Sequence, residues 1–285
     1  MMQKNSNNVH EINGIKIGYT EKKITSYGGF SMLAMFFKKI GLKAALNQII
    51  PIQETSPNAM KAEEKILSFM TTVIAGGRRF SHLMYLGNLE VIKSVFGLKR
   101  LPEAGTTLTR YFSKIKHLGD AEKLSEGMWQ YLRKVIDWDQ IKDDWLSFDS
   151  TVITRYGEQE GAKKGYNPSK KGRASHHPLL AFLNGSRLVV NIWNRSGNTA
   201  SKNNIMAFFD SAYHRIVDLI KIKGVLADSG FYDESFIQSI EEKELKYIIT
   251  AKLYSTLQRA ICEHDNWQHV ESGLWISEIA FKHLD

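Results

Sequence analysis

Two rhythms of hydrophobic and polar positions follow one another along the chain. Up to about residue 140 the apolar residues recur at helical intervals. The stretch "KAEEKILSFMTTVIAGG" sets Ala62, Ile66, Phe69 and Val73 three to four residues apart and stops at a double glycine, which predicts a helix and its end. "FSHLMYLGNLEVIKSVFGL" repeats the pattern, with Gly97 as its stop. "LPEAGTTLTRYFSKIKHLG" then offers a Thr N-cap ahead of Leu108, Tyr111, Phe112 and Ile115, interspersed with Arg110, Lys114 and Lys116. A helix, a short turn and a basic helix are compatible with a helix-turn-helix module, which makes Arg110 and Lys114 candidate DNA contacts. Residues 1–140 are therefore expected to form a mostly helical, DNA-binding region.

The rhythm shortens at Trp145. In "DDWLSFDSTVI", Leu146 and Phe148 alternate as in a half-buried strand, and Asp149 stands near its end. "HPLLAFLNGSRLVVNIWN" is two β-rich runs joined by Asn184-Gly185, a dipeptide that predicts a hairpin with a type I′ turn. "ASKNNIMAFFDSAYHRIVDLIKIKG" reads as a helix, with Ile205, Phe208, Phe209, Tyr213 and Ile216 on or near one face. "GVLAD" reads as a buried strand, "DESFIQSIEEKEL" as a helix with Asp233 near its N-cap, and "KYIITAKL" as another strand. The predicted order over residues 141–252 is β-loop-ββ-α-β-α-β, an α/β domain with a mixed sheet.

Composition narrows the class. At 285 residues, 43% hydrophobic and 24% charged, the chain has the make-up of an ordinary globular protein. No run approaches the roughly 20 apolar residues that span a bilayer, and "MMQKNSNNVHEING" is polar where a signal peptide is apolar. The expectation is a cytoplasmic protein without a membrane partner. A single cysteine, Cys262, excludes an intramolecular disulfide framework and a cysteine zinc cluster.

Charge adds a partner. The net charge is +8, and half of it lies between Thr151 and Ser175, where Arg155, Lys163, Lys164, Lys170, Lys171 and Arg173 face only Glu158 and Glu160. Gly157, Gly161, Gly165, Pro168 and Gly172 in the same segment argue for an exposed loop. A glycine-rich basic loop suits a phosphate backbone, so these six residues are candidate DNA contacts. Tyr156, Gln159 and Tyr166 lie among them and could pack on sugars or bases, or fold the loop onto its own domain.

The candidate chemistry rests on Asp149 and Asp228. Strand-helix-strand crossovers return parallel strands, so if the Asp228 strand lies beside the Asp149 strand, both acids reach one carboxyl edge, where open α/β sheets bind ligands. Two neighbouring carboxylates repel, and a hard ion such as Mg²⁺ or Mn²⁺ relieves the repulsion through oxygen ligands. Such ions serve phosphodiester transfer.

The block "FDSTVITRYGEQEGAKKGYNPSKKGRASHHPLLAFL", with "LADSGFYDESFIQSIEEKELKYIITAKL" after it, resembles the DDE transposases of bacterial insertion sequences, in the group with Asp-Ser-Thr-Val and Tyr-Gly-x-Gln-Glu-Gly-Ala signatures. "SYGGFSMLAMFFKKIGL", "TTVIAGGRRFSHLMYL" and "LPEAGTTLTRYFSKI" resemble the same group's N-terminal region. The resemblance implies an RNase H-like core with Asp149 and Asp228 as the first two metal-binding acids and Mg²⁺ or Mn²⁺ as cofactor. It implies hydrolysis and strand transfer at the element's terminal inverted repeats and into target DNA, by a homo-oligomer on DNA.

The family's third acid, a glutamate on a helix beyond a β-rich insertion, has no counterpart in its motif here. Residues 253–285 look like the start of that insertion, and Glu263, Glu271 and Glu278 lie outside the expected motif. The expectation is a C-terminally truncated transposase with little or no activity. Two other readings stand beside it: a non-catalytic DNA-binding fragment acting as an inhibitor, and a dehalogenase-like aspartyl phosphatase, against which Thr151 occupies the place of that class's second acid. His176 and His177 are expected in a DNA contact or a structural role, and Trp193, Trp267 and Trp275 in sheet packing.

Overall fold

The computed structural model describes residues 10–12, 15–17, 27–87 and 90–281. The chain divides into two units, Met1–Ile136 and Asp137–Asp285. Among the described residues no helix is long and apolar enough to cross a membrane.

The first unit opens with an antiparallel pair, β1 (His10–Ile12) and β2 (Ile15–Ile17). Helices follow: α1 (Phe30–Lys39), α2 (Leu42–Ile49), α3 (Ala62–Ile74), α4 (Leu83–Gly87), α5 (Glu90–Val95), α6 (Gly105–Phe112) and α7 (Leu118–Val135). Their core gathers Leu46, Leu67, Leu86, Ile92 and Tyr111. "FSHLMYLGNLEVIKSVFGL" forms a 3₁₀ turn and two short helices rather than one long helix. The connection from α5 to α6 runs over residues 96–104, longer than the 3–4-residue turn of a helix-turn-helix. Helix α6 starts at Gly105 without a side-chain cap and ends before Ile115.

Helix α3 departs from its predicted face. Val73 is 50% exposed, while Glu63, Glu64, Lys65, Ser68, Thr71 and Thr72 are buried. The burial is possible because most of these polar groups find partners. Glu64 accepts from Lys43 and from the Lys99 amide. Lys65 pairs with Glu54. The hydroxyls of Ser68, Thr71 and Thr72 donate back to carbonyls four residues earlier. Burial alone would raise the Glu54 carboxyl, but hydrogen bonds from Lys114 and Lys65 bring it below its ordinary value.

The second unit is built on a five-stranded sheet. Its strands are β3 (Asp143–Ser150), β7 (Leu179–Leu183), β8 (Val189–Trp193), β9 (Lys221–Ala227) and β10 (Lys246–Ile249), arranged β10-β9-β3-β7-β8. β3, β7 and β8 are antiparallel neighbours, whereas β9 runs parallel to β3 and β10 parallel to β9. The crossovers are α8 (Ile205–Ile216), before β9, and α9 (Glu234–Glu241), before β10. This is the predicted chain order, with β3 at the centre. Leu146 and Phe148 are buried, and Phe148 meets Phe208, Phe209 and Phe236 edge-on at 5.8–5.9 Å, so both crossover helices pack on one face. Gly224 lets β10 close on β9: a Cβ there would lie 2.3 Å from the Lys246 carbonyl oxygen and 2.5 Å from the Trp145 ring.

Three expectations change in this unit. The β7–β8 hairpin exists, but its loop is residues 184–188 with positive φ at Arg187, not a two-residue type I′ turn. Asp144 accounts for this by accepting from the Gly185 and Ser186 amides, which shapes the loop from the neighbouring strand. The basic segment, expected as a loop, contains three short strands, β4 (Ile153–Thr154), β5 (Lys163–Lys164) and β6 (Ala174–His176), in the order β4-β6-β5. Trp193 packs edge-on against Phe208, but Trp267 and Trp275 are exposed. They flank and sit in a hairpin of β11 (Gln268–Glu271) and β12 (Leu274–Ile276), which follows helix α10 (Ser255–Cys262); none of the three elements has a buried residue.

Candidate metal centre and nucleic-acid interface

Strand β3 pairs with β9 in parallel up to Phe148 and Ala227. Asp149 is the next residue of β3 and Asp228 is the residue that follows β9, so both stand one step beyond the last paired position, at the carboxyl edge. Adjacent strands lie about 4.8 Å apart, and equivalent positions of a parallel pair face the same side. Both aspartates are exposed.

Each carboxylate is anchored by one oxygen. Asp149 Oδ1 accepts from the Ser150 amide at 2.7 Å. Asp228 Oδ1 accepts from the Gly230 amide at 2.9 Å and caps the 3₁₀ turn Ser229–Phe231. Among the described residues neither second oxygen has a hydrogen-bond or ion-pair partner. Each aspartate thus keeps one carboxylate oxygen free of protein partners, and carboxylate oxygens are the ligands that a hard divalent ion takes. Among the described residues no group of three or more His, Cys, Asp or Glu side chains could hold a metal, so Glu263, Glu271 and Glu278 do not complete this pair.

Residues 195–203 close this edge; the helix expected from Ala200 starts only at Ile205, which leaves residues 200–203 in this loop. The Ser201 hydroxyl bonds that of Ser150 at 2.8 Å. A Cβ on Gly230 would lie 3.0 Å from Asp228 Oδ1 and 3.1 Å from Ser201 Oγ, so Ser201 reaches the Asp228 turn as well. Lys202 Nζ stands 3.8 Å from Asp233 Oδ2. Asp233 also caps α9 through the Phe236 amide, as its place in the sequence predicted. Arg195 holds the segment together by donating to the carbonyls of His177, Ala200, Ser201 and Asn203. Its burial pulls the guanidinium below its ordinary pKa.

The basic sheet borders the same segment. A Cβ on Gly165 would come 2.0 Å from the Gly197 carbonyl oxygen, and one on Gly197 would come 2.3 Å from that of Ser175. Backbone meets backbone here, and only glycine permits it. Lys163, Lys164, Lys170, Lys171 and Arg173 are exposed, as are Tyr156 and Tyr166. Arg173 lies over the Tyr156 ring at 5.8 Å. Arg155 differs: it is half-buried and donates to His176 Nδ1 at 2.9 Å. His176 and His177 are both 5% exposed, which excludes the DNA contact and leaves the structural role. In the first unit, Lys114 pairs with Glu54 at 2.8 Å while Arg110 is exposed.

These features define an α/β unit with an acidic pair on the carboxyl edge of its sheet and a cationic sheet fastened beside it. Residues 8–273 match the sequence model of the family described as transposase DDE domain group 1, and the chain belongs to that family. No curated protein matches it. Among solved structures it is similar to piggyBac transposase in a synaptic complex with hairpin DNA, at 13% identity and a TM-score of 0.39, over 80% of this chain and 51% of that one. It is also similar to Mos1 transposase in a paired-end complex with the left transposon end (8% identity, TM-score 0.28, 81% of this chain and 69% of that one). For the Drosophila P element transposase strand transfer complex the values are 12%, 0.30, 75% and 48%. The chain thus spans about half the length of the piggyBac and P element proteins.

Proposed function

We propose that this chain acts in DNA transposition as part of an RNase H-like DDE transposase of a bacterial insertion sequence. Asp149 and Asp228 supply oxygen ligands for Mg²⁺ or Mn²⁺, and Lys163, Lys164, Lys170, Lys171 and Arg173 hold the phosphate backbone beside them. The observation that carries this reading is the matching place of the two aspartates, one step beyond the last paired position of their strands, within a chain of the DDE family. When bound, the ion supplies charge neutralisation at a phosphodiester and activation of an attacking hydroxyl. The chain's own part is to present two unpaired carboxylate oxygens, fix their partners on backbone amides, and orient DNA along the cationic sheet. Arg110 serves DNA in the first unit, and Lys114, held by Glu54, supports the fold there. A homo-oligomer on DNA and a cytoplasmic setting belong to the same reading.

With only two acids joined at the edge, the chain alone is expected to bind element ends without cutting them. The test uses duplexes from the DNA flanking its coding sequence, with Mn²⁺. Binding without nicking is expected, and Lys170→Ala with Lys171→Ala should lower the slope of log affinity against log salt by about 2. Nicking that disappears in Asp228→Ala would replace the non-catalytic part of this reading. Hydrolysis of small phosphate esters without DNA affinity would replace the whole of it with a phosphatase.

A further inference from the structure

We infer that residues 195–203 are a clasp that sets the geometry of the Asp149–Asp228 pair, with Ser201 and Arg195 as its positioning residues. This rests on the metal-binding reading above.

The hydrogen bonds of the clasp form one continuous chain. The Thr199 carbonyl can only accept, so the proton of the His177 ring in this bond sits on Nδ1, 2.7 Å away. Its Nε2 is hydrogen-bonded to the Ser150 hydroxyl, 3.2 Å away. The Ser150 hydroxyl is hydrogen-bonded in turn to that of Ser201 at 2.8 Å. The chain Ser201 to Ser150 to His177 to Thr199 begins and ends in the clasp, and it encloses the residue whose amide holds Asp149 Oδ1.

On the other side, Ser201 abuts Gly230, whose amide holds Asp228 Oδ1. One side chain therefore touches the residues that anchor both carboxylates. Lys202 adds a third tie, to Asp233 at the start of α9. The clasp is itself held in shape by Arg195, whose fork spans four carbonyls, and it ends at Asn204, whose φ of 62° is a left-handed conformation uncommon outside glycine. Such outer partners of metal-binding carboxylates tune affinity without touching the ion.

The test is made on the full chain by electron paramagnetic resonance titration of Mn²⁺, beside the metal-free thermal midpoint and the ¹⁵N–¹H spectrum. Ser201→Ala should weaken Mn²⁺ binding about five- to tenfold, the worth of one well-placed hydrogen bond near a metal site. It should move the Ser150 and Gly230 amide resonances while lowering the midpoint by less than about 2 °C. Arg195→Lys should weaken binding further; if it does not fold, Ser201→Ala carries the test. Unchanged Mn²⁺ affinity and unmoved amides in Ser201→Ala would overturn the clasp alone. A loss of affinity matched by a comparable loss of metal-free stability would also overturn it, as a purely structural effect. If the unaltered chain binds Mn²⁺ no better than Asp149→Asn, the metal-binding reading falls first, and the clasp with it.

Discussion

At the amino end of β3, Asp144 is 7% exposed and accepts from the amides of Trp145, Gly185 and Ser186. At the carboxyl end of the same strand, Asp149 is exposed and accepts from the Ser150 amide alone. The two residues are chemically identical and lie on one strand, yet one has spent its acceptor capacity on the fold and the other has kept an oxygen in reserve. The difference lies in what faces each edge. A hairpin loop brings unpaired amides to Asp144, whereas a parallel neighbour brings a second carboxylate to Asp149. An acid with all its oxygens satisfied by backbone serves stability, whereas Asp149 keeps an oxygen available for the proposed metal ion.

That contrast can be broken by substitution. The largest effect is expected for Asp144→Ala, which removes the one acceptor shared by the Trp145, Gly185 and Ser186 amides and should cost about 2 kcal/mol in urea denaturation. Metal binding should survive in the fraction that folds. A cost under about 0.5 kcal/mol would erase the distinction between the two ends. The smallest effect on stability is expected for Asp149→Asn, which keeps an acceptor for the Ser150 amide and removes an exposed charge. Its unfolding free energy should stay within about 0.5 kcal/mol of the unaltered chain. A loss of several kcal/mol would make Asp149 a structural residue like Asp144.

Much of the second unit was legible in the sequence because its signals are unconditional. Leu146, Phe148, Phe208 and Phe209 must leave water, so their spacing announces the sheet and the helix on it. Asp149 and Asp228 were legible as strand ends, and parallel crossovers brought the ends together. What escaped depends on distant partners. The polar side of α3 is buried because Lys43 and the Lys99 amide, 21 and 35 residues away, satisfy Glu64. The 184–188 loop takes its shape from Asp144, some forty residues earlier. Trp267 and Trp275 stay exposed despite their apolar rings, and their local sequence carries no sign of it. The loop over residues 200–203 was read as the first turn of the following helix, because nothing local shows that Arg195 draws the carbonyls of His177, Ala200, Ser201 and Asn203 together.

The central claim is that the carboxyl edge of β3 and β9 forms a divalent-metal site from two neighbouring aspartates. The most direct measurement is calorimetric titration of Mn²⁺ into the full chain and into Asp149→Asn and Asp228→Asn. The account predicts a saturable, weak site in the unaltered chain that either substitution abolishes, with thermal stability preserved. Binding of equal strength in all three proteins would contradict it.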